Sequence, residues 1–273
     1  MLVRTWNLFH GNTVPPGRRA YLRKMVELVT ADRPDLVCLQ EVPAWALGSV
    51  GAWAGMKAVG VRARRPTLGP FPVAASHGRA LTSLHHGVLR SAFAGQGNAI
   101  LIPSDATIRA TKTITLNTNV FCEERGAKLG LSTKAMRRWE RERRICHLVQ
   151  YELPSRRRFL AATLHATNYP SDTRLADAEL RRAASFVERG AELEEVLIVA
   201  GDFNITREQS KTIEELVTAP PESRWTVSGP QIDHVLLRGA RAVSVRVWPD
   251  EERKLGRRLL SDHAPVELEI ALD

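Results

Sequence analysis

The stretch that most restricts how this 273-residue chain can fold is Val199-Ala200-Gly201-Asp202-Phe203-Asn204. The apolar run from Glu195 to Ala200 reads as a buried strand. Gly201 ends it, and a carboxylate and an amide follow two residues apart. Positions i and i+2 of a strand face the same way, so Asp202 and Asn204 aim at one point just past the strand end. Open α/β sheets commonly build their sites there. An acid and a neutral donor suit a water that must be oriented and deprotonated beside a phosphate. The same six residues also read as a strand followed by an Asx-turn, so the rest of the chain has to decide.

The chain order repeats this theme. Leu2 to Asn7 reads as a strand, and a helix is expected from about Arg18 to Ala31, with Tyr21, Leu22, Met25, Val26 and Val29 at helical spacing. Leu36 to Gln40 is a second, central-looking strand that delivers Glu41 at its end. A short helix is expected near Trp45 to Ala54. The pattern from Gly60 to Gln96 is poor and reads as loops around one irregular strand. It holds His77, His85 and His86 at no metal-binding spacing. Strand character returns at Gly97 to Ile102 and at Ala106 to Leu116. Ile145 to Leu153 and Phe159 to His165 read as an antiparallel pair turning at Pro154-Ser155. A helix from Ser171 to Gly190, capped by Ser171 or Asp172, precedes the Asp202 strand. A helix at about Arg207 to Val217 and strands at Ile232–Leu237, Val243–Trp248 and His263–Ile270 complete the chain. No linker, repeat or low-complexity stretch divides it, so residues 1–273 are read as a single domain. Many strand pairs have turn-length connections, which points to mixed sheets.

Composition narrows the class. Hydrophobic residues at 44% and charged residues at 25% are ordinary for a soluble globular protein. No apolar run approaches the roughly 18 residues of a membrane span. Cys38, Cys122 and Cys146 are an odd, widely spaced set, and buried free thiols are expected, in keeping with a reducing compartment. A strand already begins at Leu2 with no signal-peptide pattern before it, so a cytoplasmic location is expected. The net charge of +9 favours a polyanionic partner. The most basic segment is Lys128 to Arg144. It is either a phosphate-backbone contact or a solvated face.

Strand ends carry polar residues with no evident structural need: Asn7, Glu41, His165, Asp202 with Asn204, and Asp233-His234. Ser261-Asp262-His263 opens the last strand. Singly each reads as a cap, turn former or core histidine. Jointly they hold the inventory of metal-assisted phosphoester hydrolysis. A hard cation wants oxygen ligands, which Glu41, Asp262 and Asn7 offer. Asp202 suits the attacking water, and His165, His263 and Asn204 suit the transition-state charge. Asp233 suits the fixing of one histidine tautomer. His234, by alternation, faces away and is read as structural.

The ordered set Thr5-Trp6-Asn7-Leu8, Leu39-Gln40-Glu41, Gly97-Asn98-Ala99-Ile100-Leu101, Thr163-Leu164-His165, Gly201-Asp202-Phe203-Asn204, Ile232-Asp233-His234-Val235 and Ser261-Asp262-His263-Ala264-Pro265-Val266 resembles the endonuclease/exonuclease/phosphatase family. The resemblance implies an α/β four-layer sandwich, with two mixed β-sheets face to face and helices outside. It implies Mg2+ or Mn2+ held chiefly at Glu41, with Asn7 and Asp262 near it. It also implies Asp202 at the water, Asn204 at the phosphate, His263 at the transition state or its proton, and Asp233 paired with a catalytic histidine. His165 matches the deoxyribonuclease I and sphingomyelinase branches. An arginine following the basic segment commonly reaches the phosphate in relatives, and Arg143 and Arg144 are both candidates. Asn98 is a further phosphate candidate. The expected function is hydrolysis of a phosphodiester, in DNA or RNA by the charge, with a phosphorylated metabolite or lipid head group as the second reading. A non-catalytic nucleic-acid-binding module is a third, against which the intact acidic and histidine set counts. No obligate protein partner is implied, and no aromatic stacking platform stands out.

Overall fold

The computed structural model of the chain describes all residues except 66, 69, 70, 85–94, 194 and 273. His85 and His86 lie outside the described residues. By internal contacts the chain forms two compact units, Met1–Ala106 with Ser244–Glu269, and Thr107–Val243 with Ile270–Asp273. Each is built on a six-stranded mixed sheet. The expected pair of mixed β-sheets with accompanying helices is present.

In the sheet of the first unit, the strand order is Ala240–Val247, Val266–Leu272, Leu2–Asn7, Leu36–Val42, Gln96–Ile102, Lys57–Arg64. Leu2–Asn7 runs parallel to Leu36–Val42, with Asn7 opposite Gln40, and antiparallel to Val266–Leu272. The helix Leu22–Val29 covers one face. Its Leu22, Met25, Val26 and Val29 are buried against Trp6, Val37, Leu39 and Leu101. Burial of each such side chain contributes about 1.5–3 kcal/mol. This helix starts later than its apolar spacing suggests, because the Tyr21 N–H still closes a turn onto Gly11 O at 2.7 Å.

Two elements of this unit escape sequence patterning. Lys57–Arg64 is an edge strand whose residues are only partly covered, so it carries no apolar alternation. Ala75–Thr82 is a helix of small and polar residues with little apolar face. The last strand begins at Val266 rather than at His263. Ser261 has a left-handed backbone (φ 62°) and Pro265 follows, which holds Asp262 and His263 in the preceding loop.

The sheet of the second unit has the order Thr226–Ser228, Asp233–Arg238, Val196–Asp202, Arg158–His165, Ile145–Glu152, Thr107–Thr115. Arg158–His165 and Val196–Asp202 are parallel neighbours, and their other pairings are antiparallel. The helix Arg174–Gly190 buries Ala176, Leu180, Ala183 and Val187 against Leu148, Leu160, Ala162 and Val199. It is preceded by Thr173, which makes no side-chain cap. Asp172 instead accepts from the Arg174 N–H and guanidinium.

The basic segment resolves into helices Asn119–Leu129 and Thr133–Glu140, capped by Thr118 and Ser132 side chains. Ala135 and Trp139 are buried among Cys122, Leu175 and Ala178. Lys134, Arg137 and Arg141 stay exposed. All three cysteines are buried, and none is in a disulfide.

Candidate active site

The two units each gather polar residues at one end of their sheet. In the first unit, Asn7 ends its strand and is buried. Its Oδ1 accepts from the Phe9 N–H at 3.0 Å. Glu41 sits in the neighbouring strand where the pairing with Gln96–Ile102 slips between Leu39 and Val42, and it has φ 52°. A bulge of this kind re-aims one side chain without ending the strand. Its carboxylate is half-buried, and His10 Nε2 lies 3.2 Å from Glu41 Oε2.

The loop before the last strand is tied to the same place. The Ser261 hydroxyl donates to Asn7 O at 2.6 Å, and the Ser261 N–H to Asn12 O at 3.1 Å. The buried Arg253 guanidinium donates to the carbonyls of Leu260, Ser261 and His263 at 3.0–3.2 Å. The Trp6 indole donates to His263 O at 2.8 Å. Asp262 and His263 are thus carried by a loop clamped through its backbone, with Asp262 exposed and His263 half-buried. Asn98 is buried in the strand Gln96–Ile102, and its Nδ2 has no acceptor among the described residues.

In the second unit, His165, Asp202 and Asp233 are register partners across three adjacent strands, His165 opposite Asp202 and Asp202 opposite Asp233. His165 Nε2 lies 3.5 Å from Asp202 Oδ2. Arg144 Nη1 lies 3.1 Å from His165 Nδ1, and Arg144 Nη2 lies 3.0 Å from Glu142 Oε2. Arg144, His165 and Asp202 are all buried. Gly201 is required where it stands, because a Cβ there would come within 2.1 Å of Leu164 O. Asn204 turns back with φ 50°. Its N–H donates to Asp202 Oδ1 at 3.0 Å and its Nδ2 to Ala166 O at 3.0 Å.

Arg143 and Arg144 separate here. Arg143 donates to Asn117 O at 2.6 Å and Asn119 Oδ1 at 2.7 Å, which ties it to the loop before the first basic helix. Arg144 joins the His165 cluster. His234 is buried, its Nε2 donating to Ile205 O at 3.0 Å, and burial holds its imidazole below the usual histidine range.

Three residues of these clusters escaped sequence reasoning. His10 and Arg253 lie outside every strand-end pattern. Glu179 reads as an ordinary helix surface residue, yet it is buried. Its Oε1 accepts from the Trp139 indole at 2.7 Å and the Thr167 hydroxyl at 2.8 Å, and its Oε2 from the Thr167 N–H at 2.7 Å. Burial pushes its carboxyl above the usual carboxylate range, against the pull of Arg144 and these donors. It anchors the segment after His165, where Ala166 O receives the Asn204 amide.

The family model described as "Endonuclease/Exonuclease/phosphatase family" matches residues 5–263. The chain belongs to the endonuclease/exonuclease/phosphatase family, whose members are generally hydrolases of phosphoester bonds. Solved structures share the fold. The human Nocturnin catalytic domain with bound sulfate superposes with a TM-score of 0.63 at 16% identity, over 100% of this chain and 94% of that one. The mannosyl-6-phosphatase of Bacteroides thetaiotaomicron gives 0.62 at 15% identity over 100% of both chains. D. rerio TDP2 complexed with single-strand DNA product gives 0.62 at 14% identity, over 99% of this chain and 98% of that one. No curated protein matches the chain by sequence. No helix among the described residues is long and apolar enough to cross a membrane.

Proposed function

We propose that this chain is a divalent-metal-dependent phosphodiesterase that cleaves nucleic acid. The single observation that carries the reaction type is the His165–Asp202 pair at 3.5 Å, with the Asn204 N–H on the other Asp202 oxygen. Asp202 is the base for the attacking water, held in orientation by two neighbours. Asn204, whose Nδ2 keeps a second hydrogen beside the one given to Ala166 O, supplies a donor to the developing charge, and the His165 Nε2–H holds Asp202. His263 handles the proton of the leaving oxygen, and Asp233 completes the acidic set beside Asp202.

Asn7, Glu41 and Asp262 offer oxygens alone, with no thiolate, which suits a hard cation such as Mg2+ or Mn2+. When bound, such a cation polarises a phosphoryl oxygen and steadies the leaving oxygen. Glu41 is its chief ligand in this reading, and His10 holds that carboxylate in orientation. Arg144 bonds His165 on the side away from Asp202 and steadies that ring.

Nucleic acid is favoured by where the free positive charge lies. Lys134 and Arg137 on the exposed face of the Thr133–Glu140 helix, and Arg141 just after it, have no carboxylate partner among the described residues. Arg156 and Arg158, by contrast, are paired with Glu152 and Glu192. A stripe of unpaired charge attracts a phosphate backbone regardless of sequence. TDP2, crystallised with a DNA product, shares the fold. The test is a substrate panel of single- and double-stranded DNA, RNA and sugar monophosphates in Mg2+. Chain cleavage with no free phosphate from the monoesters supports the reading. Free phosphate from sugar phosphates, with intact nucleic acid, overturns it in favour of a metabolite phosphatase.

A further inference from the structure

A cavity of about 490 Å3 in the first unit lies apart from the acidic cluster. Asn7, Glu41, Asn98, Asp262 and His263 do not line it. Four arginines do, Arg18, Arg19, Arg23 and Arg79, together with Trp45 and Trp53. No carboxylate is among the described lining residues. Arg23 is bonded to Glu27 at 2.7 Å, while Arg18, Arg19 and Arg79 have no carboxylate partner among the described residues. Like charges gathered in one recess repel unless an anion joins them.

The aromatic part is equally specific. The Arg79 guanidinium stacks over the Trp45 ring at 4.5 Å, and the two indoles meet edge to face at 6.5 Å. The Trp45 Nε1–H is buried with no acceptor among the described residues. Planar guanidinium on planar indole, beside further guanidiniums, is the combination that receives a flat base and its phosphate. A volume within the range of about 300–1,000 Å3 suits a small organic ligand rather than a bare ion. The segment bearing Arg18 and Arg19 is tied by the Tyr21 N–H to Gly11 O, in the turn that carries His10.

We propose that this cavity is an accessory nucleotide site. Arg18, Arg19 and Arg79 take the phosphate, and Trp45 with Trp53 takes the base. The nucleotide is free or part of a nucleic-acid strand, and the strand form rests on the nuclease reading above.

The test is binding of a fluorescein-labelled single strand to the full chain carrying Asp202→Asn, in chelator so that nothing is cleaved. Arg18→Ala/Arg19→Ala/Arg79→Ala is compared with the charge-matched Arg156→Ala/Arg189→Ala/Arg241→Ala, all exposed positions. The cavity variant should bind about tenfold more weakly at physiological salt. Its slope of log affinity against log salt should shrink by about 2, at roughly 0.7 per lost phosphate contact. Equal losses in the two variants overturn the proposal. AMP and inorganic phosphate are then titrated by calorimetry. AMP should bind tighter than phosphate, and Trp53→Leu should narrow that gap. Equal binding of the two leaves an anion site with no base recognition and overturns the nucleotide assignment. AMP binding with no strand binding assigns the free nucleotide. A wild-type enzyme that cleaves DNA while the two variants bind alike removes this site and leaves the nuclease reading standing. AMP binding lost in the cavity variant, by a protein that cleaves no nucleic acid, does the reverse.

Discussion

Arg144 Nη1 points at His165 Nδ1 from 3.1 Å. A guanidinium has no lone pair to offer, so the histidine nitrogen accepts. The neutral imidazole therefore carries its proton on Nε2, the nitrogen 3.5 Å from Asp202 Oδ2. One arginine thus fixes both the tautomer and the partner of the histidine. Arg144→Ala is expected to lower kcat by about 10–100-fold, the range for residues that orient a site ligand from behind. Arg143→Ala, whose hydrogen bonds among the described residues go to Asn117 and Asn119, should leave kcat within about threefold on that scale. Equal losses would contradict the assignment. A kcat and KM measurement on both variants decides it.

His10 makes the corresponding contact in the first unit, 3.2 Å from Glu41. His10→Ala should weaken Mg2+ affinity by about 10–100-fold. Calorimetric Mg2+ or Mn2+ titration reads this without any turnover. His10→Gln, which keeps a donor, should recover part of the loss. Unchanged affinity in His10→Ala would make the contact incidental.

These two contacts mark the limit of what the sequence makes legible. The strand-end residues stand out because an acid or amide directly after an apolar run is conspicuous. That covers Asn7, Glu41 and Asp202, while His165 closes an apolar strand and Asp233 opens one; the structure sets Asn7, His165 and Asp202 at strand ends, Asp233 at a strand start and Glu41 one residue before its strand ends. Arg143 and Arg144 both precede the strand Ile145–Glu152, where no strand period applies to them, and the loop clamped by Asn117 is what separates them. The Asn117 amide donates to Trp139 O and Glu142 O, and its oxygen accepts from the Arg144 N–H. His10 follows its strand in a turn with positive φ, where no period applies. Glu179 sits on an amphipathic helix, and burial by a second helix carrying Trp139 leaves no trace in local pattern. Trp45 and Trp53 read as short-helix residues, and their joint position against four arginines depends on tertiary contact.

Gly201→Ala should destabilise the chain outright. A Cβ at this position meets the Leu164 carbonyl at 2.1 Å, and neither backbone can retreat inside a paired strand. The expected cost is at least about 1–3 kcal/mol, that of an overpacked core site. Thermal unfolding measures it. A melting temperature equal to wild type would contradict the strand pairing at Leu164–Gly201.

Glu179 makes stability depend on pH in a stated direction. Its folded value is raised by burial, so the fold favours the protonated carboxyl. That contribution is fully present below the ordinary carboxylate value and is lost as pH rises through the raised folded value. Glu179→Gln lacks this titration, although leaving the Thr167 N–H without its carboxylate costs about 1–3 kcal/mol at all pH. Melting curves should therefore show wild type losing ground relative to Glu179→Gln as pH rises from the carboxylate range upward. Parallel curves would contradict the burial effect.

The most direct test of the account is nicking of supercoiled plasmid by the purified protein, in Mg2+ and in chelator, beside Asp202→Asn. The account predicts Mg2+-dependent nicking that chelator stops and that the variant slows by about 10^2–10^4-fold, the contribution of a positioned base. Nicking that Asp202→Asn performs at the wild-type rate, or no nicking by folded protein in either Mg2+ or Mn2+, would contradict it.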